Sequence, residues 1–182
     1  MDEATAEANS LIVRVMLDAS ELLSGVSVVL CYVSAKDNEV ATHQIIRELL
    51  TQGKTIFVPL CDRKSSIMQW SRLTALEELE RTHFGLLEPS AQYVRIEAVP
   101  DGAVCLVPGV AFTRDGWRIG YGGGYFDRFL NGFSGISVGL AHGVQLIDTI
   151  STQPHDCPVD YLVTESGVID CRELRSLGFK NG

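Results

Sequence analysis

Four short apolar runs set the strongest limit on what this chain can become. VSVVLCYV (26–33) is continuously apolar and rich in β-branched residues, as expected of a strand buried on both faces. KTIFVPL (54–60), AVCLVP (103–108) and ISVGLAH (136–142) read as further strands. Between the first two lies ATHQIIRELLTQ, whose Ile45, Ile46, Leu49 and Leu50 form one helical face, with Gly53 placed to end it at C′. Strand, helix, strand in this order predicts a right-handed parallel crossover.

The remaining segments fit the same scheme. Residues 8–23 put Leu11, Ile12, Val15, Leu22 and Leu23 at helical spacing, and Ser24-Gly25 closes the pattern. IMQWSRL reads as a strand and TALEELER as a short helix. In FTRDGWRI (112–119), Asp115-Gly116 is a hairpin turn signal. Tyr125 to Leu130 starts a helix, VQLIDTI reads as another, DYLVT and GVID as short strands, and CRELRSLGF as a last helix. The fold class expected is α/β: one domain over residues 1–182, with a mainly parallel sheet flanked by helices.

Composition excludes several partners. The 182 residues are 46% hydrophobic and 21% charged, with a formal net charge of −8. A general polyanion binder needs a basic face, so no nucleic acid is expected, although a few local arginines can still dominate one pocket. The five cysteines are widely spaced without a CxxC pair, which argues for a reducing, cytoplasmic setting. Cys31 and Cys105 lie in strand-like runs and read as buried small hydrophobes. The acidic N-terminus has no signal-peptide pattern, and the longest apolar runs fall far short of a membrane span. A soluble monomer is the expectation.

In open parallel sheets ligands gather at the carboxyl ends of the strands. Three loops stand there: SAKDNEVAT, PLCDRKSS and PGVAFTRDGWRIGYGGGYFD. The third is the richest. Consecutive glycines before a helix expose backbone N–H groups and the positive end of a helix dipole, which suits phosphate; a tight turn packed on the sheet is the plainer alternative. The run is neither a Walker A loop nor a dinucleotide fingerprint. Arg114, Arg118 and Arg128 surround it, and Asp127 has the chemistry to hold magnesium on a triphosphate, or to be an ordinary solvated helix residue. Glu39 is either a surface charge or a site residue. His155-Asp156-Cys157-Pro158 reads as a turn before a strand more readily than as a metal or catalytic group. His43 and His83 have no partner visible in sequence, Ser65-Ser66 lack a nucleophile context, and Trp117 is either core or the border of a ring-shaped ligand.

Taken together, VPGVAFTRDGWRIGYGGGYFDRFL resembles the signature of the 5-formyltetrahydrofolate cyclo-ligase (methenyltetrahydrofolate synthetase) family. Glu39 in NEVAT resembles the family's loop glutamate, KTIFVP its second strand and Met68 its methionine before an aromatic. GLLEP (85–89) and HDCPVDYLVTESGVI (155–169) match its closing segments. The resemblance implies a sheet related to ribose-5-phosphate isomerase and the CoA-transferases. It also implies ATP- and Mg2+-dependent cyclisation of 5-formyltetrahydrofolate to 5,10-methenyltetrahydrofolate, with release of ADP and phosphate. By the same resemblance Arg118 and the run Gly120, Tyr121, Gly122, Gly123, Gly124, Tyr125 and Phe126 bind ATP, and Asp127 takes the magnesium. Arg118 and Asp127 are the catalytic pair, and Glu39 binds folate with Tyr125 lining the same pocket.

Three departures from the family pattern qualify that expectation. The family's basic N-terminal helix with its Lys-x-x-x-Arg pattern has no counterpart, since Arg14 falls on what reads as the following helix. Leu60 stands where a basic residue often follows the proline of the second strand, with Arg63 and Lys64 nearby to compensate. Phe126 replaces a second tyrosine. The first departure keeps a second function open: a catalytically impaired relative that binds folate or nucleotide in a regulatory or storage role.

Overall fold

A computed structural model describes residues 1–36, 38–62, 67–82 and 85–178, and for Asp62 the backbone alone. Arg63, Lys64, Ser65, Ser66 and His83 lie outside the described residues. In chain order the elements are α1 (Glu3–Ala19), β1 (Val28–Cys31), α2 (His43–Thr51), β2 (Thr55–Asp62), β3 (Ile67–Leu73), β4 (Leu79–Arg81), β5 (Leu87–Pro89), β6 (Val104–Val107), β7 (Ala111–Phe112), β8 (Arg118–Ile119), α3 (Tyr125–Leu130), β9 (Ile136–Leu140), β10 (Tyr161–Thr164), β11 (Gly167–Asp170) and α4 (Cys171–Ser176).

Seven strands form one sheet in the order β11-β10-β9-β6-β1-β2-β3. The five inner strands run parallel, and β3 and β11 are antiparallel edges. The mainly parallel sheet expected from the apolar runs is therefore present, and alternation along each strand feeds two cores. Val29 and Cys31 of β1, with Val104 and Leu106 of β6, face Val13 and Leu17 of α1 and Ile45, Ile46 and Leu49 of α2. Leu30, Cys105 and Val107 face the other way, towards Phe112, Trp70, Cys171 and the apolar side of α3. Burying a side chain of this size stabilises by about 1.5–3 kcal/mol each.

Local chemistry fixes the helix ends, and α2 stops where the sequence suggests. Asp2 caps α1 by accepting the Thr5 N–H at 2.8 Å. Gly53, at φ +77°, terminates α2: its N–H donates to Leu50 O and that of Lys54 to Leu49 O, which satisfies two orphan carbonyls. The β7–β8 hairpin turns at Asp115-Gly116 as its signal predicts.

Three segment readings need correction. The first helix starts earlier, at Glu3, and ends at Ala19; it buries Ser10, Val13 and Leu17, leaving Leu11, Ile12 and Val15 exposed. TALEELER forms one 3-10 turn (Leu76–Glu78) and then strand β4 of a hairpin with β5. VQLIDTI gives a single 3-10 turn (Gly143–Gln145), because the Gln145 amide donates to Gly109 O and Val110 O, and Ile147 N–H donates to Phe112 O. Among the described residues no helix is long and apolar enough to cross a membrane.

Candidate functional site

A cavity of about 710 Å³ opens at the carboxyl ends of β1, β2 and β6. All three segments singled out in the sequence contribute to its wall, although Pro59–Asp62 of the second continues strand β2 where the sequence predicts a loop, because it pairs with β3. Lys36 and Glu39 come from the loop after β1, Pro59 and Cys61 from β2, and Pro108 from the end of β6. The glycine segment from Arg118 to Asp127 supplies a continuous flank, so Gly120, Tyr121, Gly122, Gly123, Gly124, Tyr125 and Phe126 all border one space with Glu39. The β4–β5 hairpin adds Leu86 to Glu88 opposite.

The glycine loop is shaped by its ends. Arg118, the first residue of β8, is almost fully enclosed, and its Nη2 lies 2.9 Å from Asp127 Oδ1 at the start of α3. The ring of Phe126 lies 5.6 Å from the Arg118 guanidinium carbon. Burial pulls the Arg118 pKa below the usual arginine value while the Asp127 carboxylate opposes the shift, and the group stays cationic. Its Nε is buried and has no hydrogen-bond partner among the described residues. A Cβ on Gly120 would stand 2.9 Å from Arg118 Nη1. The segment therefore needs a small residue there to keep the guanidinium in place.

Gly124 precedes α3 in the left-handed conformation (φ +61°) and offers no side-chain cap, so the first N–H groups of the helix, in residues that border the cavity, have no partner from a cap side chain. Arg128 Nη2 holds the loop from behind by donating to Gly123 O at 2.7 Å. Helix α3 itself has six residues, about 9 Å at 1.5 Å each, so backbone N–H groups and Arg118 provide more of the positive potential than a long dipole does. Its apolar side is anchored on Trp70 of β3, which meets Phe126 and Phe129 edge-on at 6.3 and 5.0 Å.

On the facing wall Glu39 Oε2 accepts N–H groups from Ala35 at 2.9 Å and Lys36 at 3.1 Å. The carboxylate thereby shapes its own loop and still lines the cavity. Below it, Thr42 Oγ1 donates to Tyr32 O, and the Tyr32 hydroxyl donates to Val40 O. Tyr121 reaches across from the glycine loop, its hydroxyl 3.2 Å from Asn38 Oδ1 and Lys36 Nζ 3.2 Å from the ring centroid.

Several sequence candidates fall elsewhere. Arg114 lines a separate cavity of about 650 Å³ between Leu146–Asp148 and the β10–β11 turn, so it does not flank the glycines as expected. Arg14 ties α1 to α2 through Glu48 at 2.7 and 2.8 Å and does not line the site. His43 Nδ1 lies 3.2 Å from Ser34 Oγ, a local contact. Trp117 borders neither cavity. His155 and Asp156 do line the site, 3.7 Å apart. Sequence reasoning missed Lys36, Asn38 and the β4–β5 wall. For Lys36, the available signal was a cation three residues before Glu39 in a loop at a strand's carboxyl end.

The donor set bears on magnesium. Among the described residues no three His, Cys, Asp or Glu side chains gather to cage a metal. Asp127 Oδ1 is already engaged by Arg118 and, at 3.4 Å, by the Cys157 N–H. A cation held mainly by phosphate and water with one protein carboxylate fits this arrangement; an all-protein site does not.

Comparison with known proteins agrees with the geometry. The family model of the 5-formyltetrahydrofolate cyclo-ligase family matches residues 1–165. The 5-formyltetrahydrofolate cyclo-ligase of Mus musculus is 34% identical over 145 residues, 74% of this chain and 71% of the relative. The NMR structure of the Aquifex aeolicus 5,10-methenyltetrahydrofolate synthetase is similar with a TM-score of 0.78 at 29% identity, covering 94% of this chain and 86% of that one. A Mycoplasma pneumoniae 5,10-methenyltetrahydrofolate synthetase shares the fold at 18% identity, with a TM-score of 0.67 over 91% of this chain and 90% of its own. With the family model covering most of its length and a relative 34% identical over 74% of it, the chain belongs to the 5-formyltetrahydrofolate cyclo-ligase family.

Proposed function

We propose that this protein is an ATP-dependent ligase that converts 5-formyltetrahydrofolate into 5,10-methenyltetrahydrofolate, releasing ADP and phosphate. The observation that carries the reading is the shared cavity, in which a glycine loop suited to phosphate faces Glu39 across one space at the carboxyl ends of a parallel sheet. The formyl oxygen attacks the γ-phosphorus of ATP and ADP leaves. N10 then closes on the activated carbon and gives up its proton to solvent, and phosphate departs with the former formyl oxygen. An amide oxygen leaves poorly until phosphorylated, so the protein's task is positioning and charge compensation.

In this reading the N–H groups of Gly120 to Phe126 and the Arg118 guanidinium bind the ATP phosphates. Asp127 orients Arg118 through the 2.9 Å bond, and its carboxylate would be the protein's ligand to Mg2+. The ion, when bound, neutralises phosphate charge. Glu39 binds the folate near its reacting nitrogens, and Tyr125 lines the same pocket. Arg14 is engaged with Glu48 and offers no cation to the cavity. The test is direct: protein, 5-formyltetrahydrofolate, ATP and magnesium should build up the near-ultraviolet methenyl chromophore together with ADP. Binding of both ligands without product would favour the impaired relative instead.

A further inference from the structure

The Gly120–Gly124 segment and the Glu39 loop belong to different parts of the chain, yet they touch. Tyr121 leaves the glycine loop and docks on the opposite wall, with its hydroxyl 3.2 Å from Asn38 Oδ1 across 83 residues of sequence. The Lys36 ammonium sits over the same ring, 3.2 Å from its centroid, which is cation–π geometry. Lys36 N–H in turn donates to the Glu39 carboxylate, so the ring rests on the residues that shape the Glu39 loop. Burial and the Glu39 carboxylate both push the Tyr121 hydroxyl pKa up, which keeps it protonated and able to donate.

The position of Tyr121 suits a clasp better than a phosphate contact. It lies between Gly120 and Gly122, and Gly122 adopts φ +87° with open space where a Cβ would stand. The backbone on the Gly122 side of the tyrosine can therefore swing without displacing neighbours, while Gly120 stays packed against Arg118 and anchors the other end. Tyr121 keeps 44% of its surface exposed, so the contact can open to admit ligands without unfolding a core.

Resting on the functional reading above, we propose that Tyr121 is a positioning residue that couples the nucleotide and folate halves of the site. Closing the clasp sets the phosphate-binding segment and the Glu39 loop in one register. A ligand that orders either wall then prepares the other, and by linkage each ligand raises the affinity for its partner by the same factor. Phosphoryl transfer to a formyl oxygen gives this coupling a purpose, because a misplacement of about 1 Å between reacting groups costs on the order of 100-fold in rate.

The experiment measures binding of 5-formyltetrahydrofolate to the full chain by calorimetry, with and without a non-hydrolysable ATP analogue and magnesium. The unaltered protein should bind folate about fivefold or more tightly when the analogue is present, the lower end of typical coupling between sites. Tyr121→Ala should bring that ratio to about one while each ligand alone still binds, and Tyr121→Phe, which keeps the ring under Lys36, should retain part of it. Lys36→Gln tests the same contact from the other wall and should also lower the ratio. A Tyr121→Ala protein with undiminished coupling, or an unaltered protein with none, overturns the clasp even if methenyl product forms. Failure of both ligands to bind would overturn the functional reading and this one together.

Discussion

Arg118 Nη2 lies 2.9 Å from Asp127 Oδ1, and this bond joins the strand before the glycine loop to the helix after it. With the Arg118 side chain 3% exposed and Asp127 17%, the pair works in a poorly solvated setting and clips the two ends of the loop together. Removing one member leaves the other charge buried and uncompensated, at a cost of about 3–5 kcal/mol. Asp127→Ala should therefore lower stability by roughly that amount in urea unfolding. Both Asp127→Ala and Arg118→Ala should lower kcat by on the order of 100-fold or more, as when a preorganised charge contact is removed from a transition state. Near-normal turnover in either variant would remove that residue from the chemistry.

Why so much of the fold was legible follows from which signals are local. The buried strands β1, β2, β6 and β9, the amphipathic face of α2 and its Gly53 stop are each written within about ten residues. Phase and partner choice are not. Leu11, Ile12 and Val15 make as plausible an apolar stripe as Val13 and Leu17, and only the docking of α1 on the sheet selects the second. LEELER has helix formers throughout, yet Glu78 is held by Arg95 from 17 residues away and the chain leaves helical geometry at Leu79. The site divides in the same way. Glu39 and the glycine run were readable as residues near strand ends, whereas the Tyr121–Asn38 and Tyr121–Lys36 contacts depend on tertiary placement alone.

In the proposed reading Glu39 has two separable tasks, and two variants divide them. Its Oε2 accepts the N–H groups of Ala35 and Lys36, a role that an amide oxygen can also fill. Glu39→Gln should keep the loop and lose the charge offered to folate, while Glu39→Ala loses both. Steady-state kinetics should show kcat/KM for folate falling about 10-fold or more in each, as expected for loss of a hydrogen bond to a charged group, with KM for ATP little changed in the glutamine variant, which keeps the loop. Only the alanine variant should also melt earlier. A glutamine variant with unaltered folate kinetics would mean that the carboxylate serves the loop alone.

Acid should loosen the wall behind the cavity before it disrupts the sheet. The Arg95 guanidinium grips Glu78 at 2.8 and 3.0 Å, and with the Thr74 hydroxyl and N–H it holds the Glu78 pKa at about 2 against an ordinary 4.5. Ser90 N–H donates to Glu78 O, which places this knot at the foot of the β4–β5 hairpin. The native carboxyl binds protons less readily than the unfolded one, so its contribution is complete above 4.5 and is lost as the pH falls from 4.5 towards about 2. Glu78→Gln should be less stable at neutral pH and should show a shallower loss across that window. Urea midpoints for the two proteins at a series of pH values check this, and parallel pH profiles would contradict it.

The hairpin that leads into the glycine loop turns on Gly116, and there a side chain has nowhere to go. Its φ is +95°, and an added Cβ would stand 2.4 Å from Val159 O and 2.7 Å from Arg175 Nη1. The same atoms seal the hairpin tip to the end of the domain: Val159 N–H donates to Gly116 O, and Arg175 Nη1 donates to the carbonyls of Asp115 and Val159. Gly116→Ala should thus pay backbone strain of about 1–3 kcal/mol and also push β8 off its seat. Each kcal/mol lowers Tm by about 2–4 °C in a chain of this size, so a drop of several degrees is expected in thermal unfolding. Because Arg118 opens β8, the shift should also reach the Arg118–Asp127 pair and reduce turnover at temperatures where the variant is still folded. Gly132→Ala is the matched control, since none of the described residues lies within 4 Å of its added Cβ. Equal melting temperatures for the two variants would show that the hairpin tip yields more readily than its contacts imply.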